Sequence, residues 1–276
     1  MPKPSGIWQV LAHGLLTRLA DNVYTVNGRL DTLLGETTRR MTVVRLSGRR
    51  LALFNAIALR EEEMEKLEAL GKPTYLIAPR GARRLDVDAW LTRYPRLELV
   101  DPPHARSKLS DVAGWGSDEP AVDLGDPRVS LTLVPGMRGH EFALLVRTPT
   151  GKVLIVNELI FNLPRARGYR GALMRMVGLG PEPTIPPLVR LMLVRERAAV
   201  RDQLIAWAKL AGLERVVPCH GEPIERPRET LLELARTLGS EGLPPVPAAA
   251  AHEPTQRYEA LTLVPSLQEY ARRHAS

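Results

Sequence analysis

His220 is the residue of this 276-residue chain whose position most clearly suggests chemistry. It lies where a strand-like run, Arg215 to Pro218, meets a turn-like His-Gly pair, and a histidine at such a point is a common metal ligand or general base. The alternative is a histidine that caps the turn through a hydrogen bond. Glu158 follows the apolar run VLIV, where a carboxylate is costly unless it is paired. Both residues are therefore candidates for a site at the ends of buried strands.

Cys219 is the single cysteine of the chain, which excludes an internal disulfide and a cysteine-cluster metal site. It directly precedes His220 on the predicted strand, and neighbouring strand residues point to opposite faces. A Cys-His nucleophilic pair is therefore not expected, and Cys219 is interpreted as a small buried hydrophobic residue. Cysteine usage favours a reducing cytoplasm as the location.

The net charge of +7 is concentrated in one segment. Residues 165–201 hold eight arginines and two glutamates, a surplus of six positive charges. Aromatic residues make up 5% of the chain and do not alternate with these arginines, so nucleic-acid binding is not expected. The segment from Arg165 to Arg201 is either a solvated arginine-rich surface or, because Leu, Met and Val lie between the arginines, a surface for a membrane or a protein partner.

The first half of the chain predicts the order β-β-β-α-β-α-β. Turn residues separate β-rich runs at 22–28, 41–47, 50–56, 74–78 and 97–100. Helical spacing of apolar residues predicts helices at 60–73 and 86–95.

The second half predicts further strands at 129–136, 141–148, 152–161 and 214–218. Helices are predicted at 196–213 and 226–239, with one or two short helices within 165–195 and a loop at 110–127. Several strand runs are apolar throughout, as expected when both faces of a sheet are covered. The pattern predicts an α/β protein, an αββα sandwich of two mixed β-sheets with helices outside.

The sandwich is expected to occupy residues 1–240 as one domain. Residues 241–276 are rich in Pro and Ala and predict a flexible tail, with a short helix left open near its end. The chain has no apolar run of 18 uncharged residues, so a membrane-spanning helix is not expected.

Four stretches resemble the metallo-β-lactamase superfamily, in the order that the superfamily has them. LGETTRRMTVVRLSG is similar to its opening hairpin, and GRRLALFNAIALREEEMEKLEALGKPTYLIAP to its second hairpin, first helix and next strand. LTLVPGMRGHEFALLVRTPTGKVLIVNELIFNL is similar to the stretch from the PGH strand to the acidic turn, and VRERAAVRDQLIAWAKLAGLERVVPCHGEPI to the closing helix, strand and histidine turn. The chain looks like a poorly characterised branch, a domain of unknown function, and the resemblance implies an αββα sandwich.

The same resemblance implies a degenerate metal site. The HxHxDH motif of the superfamily should follow TYLIA, where this chain has PRGARR at 79–84, without His, Asp or Glu. Met137 stands where the superfamily has a further histidine, Glu158 where it has a bridging aspartate, and His220 is retained. Zinc needs imidazole or anionic ligands, and arginines repel a dication. The usual two-zinc site is therefore not expected to assemble, and no metal cofactor is expected.

The first interpretation of the cleft is a non-catalytic or atypical protein that binds a small anionic molecule. Arg80, Arg83 and Arg84 would supply the counter-charge of that ligand, with Glu158 and His220 beside it. Glu158 could also pair with Arg83 or Arg84, because a guanidinium can replace a lost metal as the counter-ion of a carboxylate.

The second interpretation is a hydrolase that uses one metal ion. If the loop that carries His140 turns inward, His140, Glu158 and His220 form a set of two histidines and one carboxylate. Such a set suits one zinc or iron ion with an open position for an activated water. Whether the protein is an enzyme therefore stays open at the level of sequence.

Overall fold

The computed structural model describes residues 6–32, 35–78, 86–102, 109–139, 141–165, 168–180 and 182–239. Two six-stranded sheets lie within these residues, one built from each half of the chain. The predicted tail at 241–276 lies outside the described residues, so the division into domain and tail stays a prediction.

The first sheet has the strand order β1-β2-β3-β4-β5-β6. Its strands are β1 (Thr17–Ala20), β2 (Val23–Thr32), β3 (Gly35–Arg45), β4 (Arg50–Phe54), β5 (Lys72–Ile77) and β6 (Glu98–Val100). The first four are antiparallel, whereas β4, β5 and β6 are parallel to one another. Helices α1 (Glu61–Leu70) and α2 (Val87–Arg93) make the parallel crossovers.

The second sheet has the strand order β12-β11-β10-β9-β8-β7. Its strands are β7 (Leu109–Ala113), β8 (Pro120–Val122), β9 (Val129–Leu133), β10 (Phe142–Arg147), β11 (Lys152–Asn162) and β12 (Leu213–Gly221). Only the β11–β12 pair is parallel among these strands. Helices α3 (Gly168–Met176), α4 (Pro187–Met192) and α5 (Arg197–Ala208) lie between β11 and β12, and α6 (Pro227–Arg236) follows β12.

Three apolar layers hold the sandwich together. The layer between the sheets includes Phe54 of β4 and Phe142 of β10. Outside the first sheet, Trp90 of α2 packs with the strands, and outside the second sheet Trp207 of α5 does so. Because both faces of each sheet are covered, central strands such as β4 and β11 have continuous buried apolar runs rather than an alternating pattern.

The predicted αββα sandwich is confirmed, and each strand and helix predicted within the described residues is present, with bounds that differ by up to six residues. The loop prediction at 110–127 was wrong, because β7 and β8 lie there, and β1 was not predicted. These strands are short and lie at or next to a sheet edge, so they carry little of the apolar pattern by which strands are recognised.

Asp126 ties the two sheets together at the end of the sandwich where β9 begins. Its buried carboxylate accepts hydrogen bonds from Ser47 N at 2.5 Å and from Arg128 Nη2 at 2.8 Å. Ser47 belongs to the turn between β3 and β4 of the first sheet. Burial alone would raise the pKa of Asp126, but the hydrogen bonds from Arg128 and Ser47 outweigh it and hold this pKa well below its usual range.

We expect Asp126→Asn to lower the free energy of unfolding by about 2 kcal/mol near neutral pH, because a charge-assisted contact between the sheets is lost. A carboxylate with a depressed pKa stabilises the fold above its ordinary pKa, and this contribution is lost as the pH falls through the folded value. The difference in free energy of unfolding between wild type and variant, measured by urea unfolding, should therefore be smaller at about pH 3 than at about pH 7. The exposed Asp118→Asn is the control. A difference that stays constant with pH would contradict this assignment.

Candidate functional site

A cavity of about 50 Å³ lies towards the carboxyl ends of β4, β5, β11 and β12. Open α/β sheets commonly place their binding sites at this edge. Polar and apolar residues line the cavity; among those described they are Arg39, Asn55, Ala56, Leu76, Ile77, Ala78, Val87, Asn157, Glu158, Cys219 and His220. The volume suffices for a few water molecules or a small ligand group.

A bulge in β11 brings Asn157 and Glu158 to the cavity. Val156 pairs with Pro218 and Phe161 with His220, so the chain advances five positions along β11 but only two along β12. The additional residues leave the regular ladder, and their backbone N–H groups need other partners.

Glu141 supplies those partners. Its carboxylate accepts hydrogen bonds from the backbone N–H groups of Asn157 at 2.7 Å, Glu158 at 3.0 Å and Leu159 at 3.3 Å. Burial raises the pKa of Glu141 to about 8, and the three N–H groups act in the opposite direction. Sequence analysis left Glu141 without a role. The one available signal was an acidic residue at the start of an otherwise apolar strand.

The imidazole of His220 is buried and held on two sides. Its Nδ1 lies 3.0 Å from the carbonyl oxygen of Thr38, and its ring stacks on Phe161 with centroids 4.4 Å apart. A carbonyl oxygen can only accept, so Nδ1 carries the proton and donates it. The other nitrogen, Nε2, lies 3.6 Å from Oε1 of Glu158. The structure therefore brings together the two candidates that sequence analysis singled out first, Glu158 and His220.

Asn55 and Asn157 join the two sheets across the cavity. Asn55 Nδ2 donates a hydrogen bond to Asn157 Oδ1 at 2.7 Å. Asn55 follows β4 with a φ of +55°, in the left-handed region that asparagine tolerates better than most residues. Neither residue was expected at the site, because their contact depends on the bulge in β11.

Two consecutive arginines of β3 also reach this end of the sandwich. Arg39 pairs with the buried carboxylate of Asp86, which also accepts a hydrogen bond from Ala58 N at 3.3 Å. Arg40 is 5% exposed, and its Nη2 donates to the carbonyl oxygen of Gly221 at 2.7 Å. Both arginines were missed, although two neighbouring charges on one strand must face opposite sides of the sheet, where at least one side is covered.

The remaining candidates are distributed as follows. Cys219 is a buried thiol as expected, and burial raises its pKa to about 12, so that it stays protonated. Met137 packs in the apolar layer outside the second sheet rather than at the cavity. His140 and the arginines proposed to face the ligand lie outside the described residues; these arginines are Arg80, Arg83 and Arg84.

The described residues do not fit a two-metal centre. Glu158 and His220 are two candidate donors at the cavity, and they share it with the Arg39 guanidinium. Within the described part of the chain, no group of three or more His, Cys, Asp and Glu side chains could hold a metal ion. A stable zinc site needs three or four such ligands.

Two mixed sheets packed face to face, with helices on both outer sides and a cleft at the strand ends, define the metallo-β-lactamase fold. The crystal structure of VMB-1 at pH 5.5 superposes with a TM-score of 0.51 at 12% identity, covering 82% of this chain and 97% of that one. A metallo-beta-lactamase from Pontibacter korlensis superposes with a TM-score of 0.51 at 11% identity, covering 82% and 99%. At these identities the likeness shows the fold alone.

No family model and no curated protein matches the chain in sequence, so sequence comparison does not assign it to a family. Among the described residues, no helix is both long enough and apolar enough to cross a membrane.

We expect Glu141→Ala to lower the free energy of unfolding by about 3 kcal/mol or more, because three buried N–H groups lose their acceptor. Glu141→Gln keeps one acceptor oxygen and should lose about half as much. Urea unfolding measures both effects, and the exposed Glu65→Ala of α1 is the matched control. If Glu141→Ala unfolded like Glu65→Ala, the carboxylate would not be what holds the bulge.

Proposed function

We propose that this protein lacks the two-metal centre that its resemblance to the metallo-β-lactamase superfamily implies, and that it binds a small anionic molecule in the cavity. One observation carries the proposal. Arg39 Nε and His220 Nε2 are buried, line the same cavity, and have no hydrogen-bond partner among the described residues. Arg39 Nε is an unpaired buried donor, which is costly, and a ligand with acceptor oxygens would satisfy it, and would satisfy His220 Nε2 as well when the imidazole is doubly protonated.

The charge of the cavity favours an anion only when residues 79–85 are included. Among the described charges, Arg39 faces Asp86, and His220 faces Glu158. Ala78 and Val87, which flank residues 79–85 in the sequence, both line the cavity. Residues 79–85 include Arg80, Arg83 and Arg84 and no acidic residue. These arginines are the proposed counter-charge of the ligand.

The protonation form of His220 decides whether it can donate to the ligand. Nδ1 already donates to Thr38, so Nε2 can donate to an anion only when the imidazole carries a second proton. Glu158 Oε1 lies 3.6 Å from the same nitrogen.

Calorimetric titration with inorganic phosphate tests this proposal. We expect at least about tenfold weaker binding after Arg83→Gln with Arg84→Gln than for the wild type. Arg60→Gln with Arg96→Gln removes the same charge from exposed positions and should leave the affinity unchanged. Equal affinities in both double variants would overturn the assignment of the ligand to this cleft.

A second candidate is a hydrolase with one metal ion, and the orientation of His220 favours it. The hydrogen bond from Nδ1 to a backbone carbonyl leaves Nε2 of a neutral imidazole free as a ligand, as in many metal sites. His140, Glu158 and His220 would hold one zinc or iron ion, which would supply an activated water. The described residues provide two of these three ligands.

Metal content separates the two candidates. For the anion-binding protein we expect less than about a tenth of an equivalent of zinc or iron in untagged protein, before and after incubation with zinc, iron or manganese. Elemental analysis measures it, with His220→Ala as the comparison. A stoichiometric metal that His220→Ala removes would overturn the first candidate and favour the hydrolase.

A further inference from the structure

Two consecutive helices outside the second sheet present apolar side chains to solvent. The exposed fraction is 77% for Met176, 65% for Leu188, 76% for Leu191 and 51% for Met192, and Val177 is exposed as well. We refer to these five residues as the apolar patch. Isolated exposed apolar residues are common, but a cluster of this size marks an interaction surface.

The members of the apolar patch lie side by side. Met176 and Val177 are at the end of α3, and the other three belong to α4. A Cβ atom on Gly178 would lie 2.6 Å from Pro187 Cδ, so the end of α3 contacts the start of α4.

Helix α4 presents apolar side chains both to the second sheet and to solvent. Leu188, Leu191 and Met192 share its outer face by their helical spacing, whereas Val189 is buried in the layer on the second sheet. A surface helix normally turns polar residues to solvent, so the apolar outer face of α4 is unusual.

The segment that carries the patch is fixed to the second sheet. Thr184 and Phe161 exchange two backbone hydrogen bonds of 2.9 Å, and Arg195 N donates to the carbonyl oxygen of Gly136 at 2.8 Å. The apolar patch therefore lies on a segment that is hydrogen-bonded to the second sheet.

Arginines lie close to the apolar patch in the sequence. Arg165, Arg175, Arg195 and Arg197 are exposed, and the segment 165–201 has a surplus of six positive charges. Burial lowers the pKa of Arg190, and the nearby positive charge of Arg197 lowers it further. The positive charges of Arg190 and Arg197 repel each other, and an anionic partner would reduce this repulsion.

We propose that the apolar patch and its arginines dock on an anionic phospholipid membrane surface. Leucine and methionine side chains can enter the interface between headgroups and acyl chains, while arginines bind the phosphates above them. A second copy of this chain is a poorer fit, because a symmetric contact through the patch would bring arginine against arginine. This inference does not depend on the ligand proposed for the cavity.

Vesicle sedimentation of the 276-residue protein tests the inference. We expect binding to phosphatidylcholine vesicles that contain about 30 mol% phosphatidylserine, little binding to phosphatidylcholine alone, and loss of binding at about 0.5 M salt. Arg175→Glu with Arg195→Glu should weaken binding at least about tenfold, as should Leu188→Ser with Leu191→Ser.

The matched control is Arg60→Glu with Arg96→Glu, which changes the net charge equally at exposed positions beside α1 and α2, outside the first sheet. This variant should bind nearly as wild type, and circular dichroism should show that every variant is folded. Equal binding to both kinds of vesicle, no binding to either, or equal loss in the control would overturn the proposal. Concentration-dependent dimers abolished by Leu188→Ser with Leu191→Ser would also overturn it, in favour of a second copy.

Discussion

The geometry of the cavity depends on the buried side chain of Glu141, which accepts hydrogen bonds from three backbone N–H groups of the β11 bulge. Without an acceptor at that point, Asn157 and Glu158 would have to rejoin the ladder or leave three buried donors unpaired. The bulge turns Asn157 towards Asn55 and Glu158 towards His220. One side chain that does not line the cavity thus decides which side chains do.

Hydrogen bonds of the chain itself tie the two sheets together at this end. Asn55 contacts Asn157, His220 contacts the backbone of Thr38, and Arg40 reaches the turn after β12. A metal centre shared by both sheets would serve the same mechanical purpose, since its ligands would come from both. The described contacts connect the sheets through side chains and backbone, and two of the three donors, Asn55 and Arg40, have side chains that are poor metal ligands.

The fold could be predicted from the sequence because apolar runs and helical periodicity are local signals. The site could be predicted only where its residues end such runs, as Glu158 and His220 do. Asn55 and Glu141 act through partners about a hundred and about sixteen positions away, and no local pattern reports such pairs. Arg39 was missed for a related reason. Its role depends on an ion pair with Asp86, which directly precedes helix α2 outside the first sheet.

Two acid–base pairs lie at the cavity, Arg39 with Asp86 and His220 with Glu158. The second pair is the more adjustable, because an imidazole exists in a neutral and a protonated form whereas a guanidinium stays charged. In neutral form, Nε2 of His220 is an acceptor and suits a cation; in protonated form it is a donor and suits an anion. The proton on this one nitrogen is therefore the chemical difference between the two proposed ligands.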